Sequence, residues 1–331
     1  MRYATPTILV LTLALLSGCG KSVAPSPPSA GAPAPSGAGA PALTEKDIHA
    51  SLKEKNFSYN GRGRFAIEEG RLVGASLAQT GVRDISPLSG QALKELDLTG
   101  TQVSDLSPLK GMPLEALVLS GTPVADLSPL KGMPLQVLDV LQTKVSDLSP
   151  LQGMPLEVLY ADDTQVADLL PLKGMKLARI RLNSTRVESI EPLRGMPLVE
   201  INLFGTKVSD LKPLQGVPLE MVWLNETPVS DISPLQGAPL VSLTLHRTRV
   251  GDLGPLAGSN LQRLHIGETP VTDLTPVVGL NLTRLIFTPS NITKGIQEVR
   301  GMASLQELGT DFEARLSPTD FWKRYDAGEF R

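Results

Sequence analysis

Residues 93–113 read LKELDLTGTQVSDLSPLKGMP, and residues 114–134 read LEALVLSGTPVADLSPLKGMP. The two stretches abut and align without a gap, so the chain repeats itself every 21 residues. The phrase Asp-(Leu/Ile)-x-Pro-(Leu/Val) carries the period further, with its aspartate at 84, 105, 126, 147, 168, 210, 231, 252 and 273. One step is doubled, and the missing member falls at Ser189, just ahead of Ile190-Glu191-Pro192-Leu193. The period is therefore unbroken over ten units, and only one aspartate is lost. A fixed period of this length marks stacked solenoid units.

Within each unit Leu-x-x-Leu-x-Leu alternates with period two, the pattern of a short strand with one buried face. Leu96 and Leu98, like Leu117 and Leu119, should point inward. Ser107-Pro108-Leu109-Lys110-Gly111 reads as a serine N-cap, a proline at the first helical position and a glycine at the stop. Only three or four residues fit between those signals, which predicts a 3₁₀ turn. Parallel strands about 4.8 Å apart would make ten units into a sheet of roughly 50 Å. The expected architecture is an α/β repeat solenoid: a curved array with a parallel concave sheet, 3₁₀ turns on the convex side, and terminal caps. No unit can bury its leucines alone; stacking buries them.

These units resemble the leucine-rich repeats of bacterial internalin-like proteins, shortened by one residue. The resemblance runs from Leu72 to about Asn281, with a degenerate unit after it. It implies a fold and says little about function. Three of the repeated columns read as scaffold. Each aspartate can accept from free backbone N–H groups of the convex turn, which favours capping over a calcium ladder. Threonines at 80, 101, 122, 143, 164, 185, 206, 227, 248 and 269 are expected to bond backbone groups of the adjacent coil. Methionines at 112, 133, 154, 175 and 196 are expected to pack between layers.

The N-terminus reads as an address. Ile8 to Leu16 is an almost unbroken apolar run, too short for the roughly 20 residues that span a bilayer. Leu16-Ser17-Gly18-Cys19 follows it and resembles the lipobox of bacterial lipoproteins, whose cysteine is lipidated and becomes the new N-terminus. The expected domains are therefore a lipoprotein signal peptide over 1–18 and a lipid-anchored Pro/Ala/Gly/Ser linker over 19–43. An N-terminal cap over 44–71, repeats over 72–302 and a C-terminal cap over 303–331 complete the chain. Thr44 to Asn56 should form a capped amphipathic helix, followed by a hairpin around Glu69-Gly70. Ser317-Pro318-Thr319-Asp320 should start a last helix that lays Trp322 and Tyr325 over the final leucine layer.

Composition narrows the function classes. A net charge of −3 gives no general pull toward nucleic acid, and aromatics at 4% imply an aliphatic core. With one cysteine and three histidines, intrachain disulfides and cysteine zinc sites are excluded. No phosphate loop, metal-ligand spacing or nucleophile motif appears, so neither catalysis nor a cofactor or metal is expected. The chain reads as a monomer that touches the membrane through its anchor alone, at the outer membrane or cell surface.

A partner should meet the outward side chains of the concave sheet. Early units are bland there, with Glu95, Asp97 and Thr99, then Ala116, Val118 and Ser120. From the fourth unit one column runs Tyr160, Arg181, Asn202, Trp223, Thr244, His265, and its neighbour Asp162, Asn183, Phe204, Asn225, His246. Arg179, Met221 and Arg263 flank them. Exposed Trp, Tyr, Phe and Arg on one rigid face match the composition of binding hot spots. The expected contact set is Tyr160, Asp162, Arg179, Arg181, Asn202, Phe204, Met221, Trp223, Asn225, His246, Arg263 and His265. The expected ligand is a protein or peptide; the alternative is a structural or polysaccharide-binding envelope component. The lipid anchor has its own test: Cys19→Ala should move the protein from the membrane to the soluble fraction. Unchanged fractionation would refute the anchor.

Overall fold

The computed structural model describes residues 43–330. The expected signal segment, Cys19 and nearly all of the 19–43 linker lie outside the described residues. No described helix is long and apolar enough to cross a membrane.

A single sheet of fourteen strands runs through the molecule in sequence order. It opens with the antiparallel hairpin β1 (Arg64–Glu68) and β2 (Arg71–Ser76). Then come β3 (Glu95–Asp97), β4 (Ala116–Val118), β5 (Val137–Asp139), β6 (Val158–Tyr160) and β7 (Arg179–Arg181). β8 (Glu200–Asn202), β9 (Met221–Trp223), β10 (Ser242–Thr244), β11 (Arg263–Ile266) and β12 (Arg284–Phe287) continue it. β13 (Glu307–Gly309) and β14 (Arg315–Leu316) close it. From β2 to β13 every pairing is parallel, and from β3 to β12 like positions of neighbouring units stand opposite each other, as Glu95 opposes Ala116. Arg284 pairs with Glu307, a wider step that makes room for the short helix Ile296–Arg300. With a 3₁₀ turn between successive strands, this is the curved leucine-rich-repeat solenoid expected from the period.

The leucine alternation has the predicted consequence. Leu96, Leu98 and their equivalents in each coil are fully buried in one continuous core. The methionine column is buried as well. Every aspartate of the convex column accepts at 2.7 to 2.9 Å from the N–H two residues on, as Asp105 Oδ1 does from Ser107. Where the aspartate is lost, the Ser189 hydroxyl accepts from Glu191 N–H at 3.3 Å, so the coil keeps a weaker form of the same cap.

Two local expectations change. The serine of Ser-Pro-Leu is not the cap: the 3₁₀ turn already includes it, as in Ser107–Leu109, and Leu106 is the flanking residue. The aspartate caps from outside, and Ser107 Oγ donates back to its second oxygen. The threonine hydroxyls do not bridge coils. Thr101 and its equivalents donate to the carbonyl three residues earlier in their own coil, at 2.6 to 2.7 Å. Coils are joined there by backbone instead, for example Gly100 N–H to Ser120 O at 2.8 Å. The residue just before each threonine holds the turn with a positive φ, which Gly100 accepts freely and Gln142, Asp163 and Glu226 adopt at φ 53–55.

Both ends of the core are covered. Helix α1 (Glu45–Lys55) is capped reciprocally by Thr44 and Asp47 and buries Ile48 and Leu52. At the far end, α2 (Ile296–Arg300) and α3 (Pro318–Asp326) close the stack. Phe321 packs on Phe287 of β12, and Trp322 is buried beside it; Tyr325 packs edge-on against Trp322. Arg300 ties α2 to Asp326 of α3 through two short bonds of 2.9 and 2.7 Å.

The hydrogen bonds from Ser107 and Ser149 hold the Asp105 and Asp147 carboxyls below the usual carboxylate range. A depressed folded pKa contributes stability above the unfolded value of about 3.9, and that stability is lost as pH falls through the folded value. The melting temperature should therefore drop below about pH 4. An Asp105→Ala, Asp147→Ala variant should start lower at pH 7 and lose less on acidification. An identical acid slope in thermal melts would refute the capping account.

Candidate concave-face binding site

In a strand with one buried face, the residues flanking the inward leucine point out. Strand β7 thus presents Arg179 and Arg181 on either side of buried Ile180, and β8 presents Glu200 and Asn202 around Ile201. Arg179 stands opposite Glu200, while Tyr160, Arg181, Asn202 and Trp223 succeed one another across β6 to β9.

Glu200 organises this patch. It is only 4% exposed and receives Arg181 Nε on one oxygen at 2.7 Å, with Arg179 Nε 3.8 Å from the other. The Arg181 guanidinium also lies over the Tyr160 ring, 4.6 Å from its centroid. Burial alone would lower the Arg181 pKa; the Glu200 carboxylate, with Tyr160 and Asp162 beside it, outweighs burial and raises it. Glu200 thus fixes two guanidiniums, one of them on an aromatic platform, and the nearby Asp162 and Asp139 carboxyls make the surrounding face mixed in charge.

The neighbouring column mixes contact with scaffold. Asp162 Oδ1 accepts from Asn183 N–H at 2.8 Å, and Asn225 Oδ1 from His246 N–H at 3.0 Å. Asn202 Oδ1 accepts from Phe204 N–H at 3.1 Å. Three of the expected contact residues therefore spend an oxygen on the backbone. Asp162 is nearly buried, and burial pushes its pKa up to about 6 despite that hydrogen bond and the nearby Arg181. Phe204, Met221 and Trp223 are half-buried, and Trp223 has no ring or cation–π contact among the described residues.

His265 does not belong to the open face, contrary to expectation. It is 3% exposed, stacked on His246 at 4.9 Å, and covered edge-on by Phe312 at 4.3 Å. The segment between β13 and β14 folds back over the end of the sheet, beyond the reach of the repeat's logic. Burial, then the neighbouring His246, pushes the His265 pKa down to about 3, so the ring is neutral. His246 Nδ1–H donates to Gly267 O at 3.0 Å and its Nε2 lies 3.7 Å from Glu268. Arg263 is exposed at the same end. The structure thus gathers Tyr160, Asp162, Arg179, Arg181, Asn202, Phe204, Met221, Trp223, Asn225 and His246 on one face, with Arg263 at its margin. Sequence reading missed Glu200, although its place opposite Arg179 was available from the period. It also missed Phe312, which no period places.

No group of three or more His, Cys, Asp or Glu side chains suited to a metal ion occurs among the described residues. Chemically, the face offers cations, aromatic planes and amide groups on a rigid sheet, which is equipment for recognition.

An internalin (inlF) of Listeria monocytogenes has the same fold, with a TM-score of 0.67 over 81% of this chain and 89% of that one at 22% identity. An internalin C2 (inlC2) of the same organism matches 60% of this chain and 92% of that one at 30% identity, with a TM-score of 0.52. The chain is a leucine-rich-repeat protein. A PEPR1–AtPEP1 structure also resembles this leucine-rich-repeat protein, with a TM-score of 0.56 and 16% identity over 79% of this chain and 44% of that one. No protein-family model and no curated protein matches the sequence. These likenesses concern the fold.

Asp162 provides a test of the site's electrostatics. A carboxylate whose folded pKa is raised destabilises the fold above its unfolded pKa, and the penalty vanishes as pH falls below about 4. Asp162→Asn keeps an acceptor oxygen and removes the charge, so it should stabilise the protein at pH 7 by on the order of 1–2 kcal/mol. The gain should disappear near pH 4. Equal stability of the two proteins across the pH range would contradict the assigned burial cost.

Proposed function

We propose that this leucine-rich-repeat protein is a non-catalytic, lipid-anchored binding module whose concave face recognises a protein or peptide at the cell envelope. The observation that carries the reading is the contrast between the two sides of one sheet. Positions that build the coil repeat almost without change, whereas the outward columns from β6 to β10 carry Tyr160, Arg181, Phe204 and Trp223. Such residues supply large contact area at little entropic cost when their surroundings already hold them.

Arg181 is held in advance by Glu200 and the Tyr160 ring. The Asp162 carboxylate is kept on the face at a cost in stability, as groups reserved for a partner often are. A partner with aromatic and mixed-charge side chains fits the arginines of the Arg179–Glu200–Arg181 cluster and the Asp162 carboxyl beside them. The PEPR1–AtPEP1 pairing supports peptide or protein ligands for a surface of this fold. The Leu16-Ser17-Gly18-Cys19 signal supports anchorage at the envelope, with the Pro/Ala/Gly/Ser linker holding the solenoid off the membrane.

Capture from solubilised native membranes with full-length protein tests the reading. An Arg181→Gln, Glu200→Gln variant, which strands no buried charge and leaves Trp223 in place, should lose the captured protein while melting within a few degrees of the parent. Recovery of the same protein at the same level would remove the face from the account. Retention of envelope polysaccharide in place of protein would favour the structural alternative.

A further inference from the structure

Beyond Trp223 the concave face deepens into a pocket. Strands β9 to β12 line a cavity of about 270 Å³, bounded by Trp223, Thr244, Arg263, His265 and Ile286, with Phe312 from the C-terminal segment as one wall. The volume lies just under the ~300–1,000 Å³ usual for small-molecule sites, enough for one or two side chains.

Three polar groups in this lining lack partners. Thr244 is 5% exposed and its hydroxyl makes no hydrogen bond; His265 is 3% exposed and neither ring nitrogen makes one. Buried polar groups left this way cost stability, and they are uncommon in folded proteins. Arg263, the third, forms no ion pair among the described residues, while its column neighbour Arg284 is paired with Glu307. Glu307 also receives Arg315 at 3.4 Å, so the nearby carboxylate is already engaged. The lining thus contains no carboxylate of its own, and its unpaired charge is the Arg263 guanidinium. A guanidinium has five N–H groups and no acceptor, while the neutral imidazole and the hydroxyl each bring one donor besides their acceptor lone pairs. Trp223, Ile286 and Phe312 add flat apolar walls. A phosphate dianion would find one free cation for two charges, whereas a carboxylate is matched.

We propose that this pocket binds a carboxylate carried on an apolar or aromatic body, with Arg263 as its counter-ion and Thr244 as a second donor. The proposal rests on the reading of the concave face as a peptide-binding surface and names the chemical group that its C-terminal end selects. The carboxylate of a peptide comes either from an acidic side chain or from a free chain terminus, and the pocket's chemistry suits both.

Three probes separate the possibilities: acetyl-Ala-Phe with a free carboxylate, the same dipeptide as its C-terminal amide, and acetyl-Asp-Phe amide. Each is titrated against the full-length chain, with affinity read by ligand-observed NMR. At least one acid-bearing probe should bind about tenfold or more tightly than acetyl-Ala-Phe amide, the size of one charge-assisted hydrogen bond. Arg263→Gln should abolish that preference, and Phe312→Ala should weaken all probes. Arg263 is exposed, so the variant should melt like the parent, which a thermal scan checks. Equal binding of acids and amide, no binding of any probe, or a preference that survives Arg263→Gln would overturn the proposal. The two readings fail separately, because neither Arg181 nor Glu200 lines the pocket: loss of capture with Arg181→Gln, Glu200→Gln but no acid preference leaves the face and removes the pocket. Acid preference without loss of capture does the reverse.

Discussion

Everything in this molecule depends on lateral stacking of coils that cannot fold alone. Each coil presents its leucines to the next, and burying an aliphatic side chain contributes about 1.5–3 kcal/mol only when a neighbour covers it. The same stacking satisfies the backbone, since the strand of each coil bonds the next coil on both sides. Register follows from this, because a one-residue slip would turn the leucines outward. Two costs remain, the convex turn and the exposed ends. The first is met with an aspartate in every coil but the one at Ser189, and the second with one helix at the N-terminal end and two at the other. Strict repetition of Leu, Asp, Pro and Gly is the consequence of asking one geometry of every coil.

That constraint leaves the exposed positions free to vary, on the convex side as at Lys110, Gln152 and Ala257, and on the outward columns of the sheet, where the aromatic residues and paired arginines gather. A rigid sheet fixes where each outward side chain starts, so recognition depends on what those side chains do with one another. The Glu200 cluster shows the consequence: it holds two arginines and a tyrosine ring in place before any ligand arrives. Asp162 shows the tension in the same design, because the charge that would help a partner opposes the fold that carries it.

The fold was legible in the sequence because it is written many times over. Leu93 to Pro113 already contains the strand, the turn and the step to the next coil, and repetition removes ambiguity. Local chemistry was less legible. Ser107 resembles a cap, yet Asp105 does that work, and the Thr101 hydroxyl turns back to its own coil because the backbone already joins the neighbours. The outward columns were readable by counting, which placed Tyr160, Arg181 and Trp223 on one face. What counting could not give was the effect of aperiodic segments. Phe312 lies past the last repeat, and its return over His265 converts an expected contact residue into the lining of a pocket.

The most direct measurement is site-specific photo-crosslinking from two positions of the full-length chain in its native envelope. A photoreactive residue at Trp223 lies on the concave face, and one at Lys131 follows a convex 3₁₀ turn and is exposed. The account predicts a discrete crosslinked partner from position 223 and none from position 131. The same partner from both positions, or a partner from position 131 alone, would contradict it.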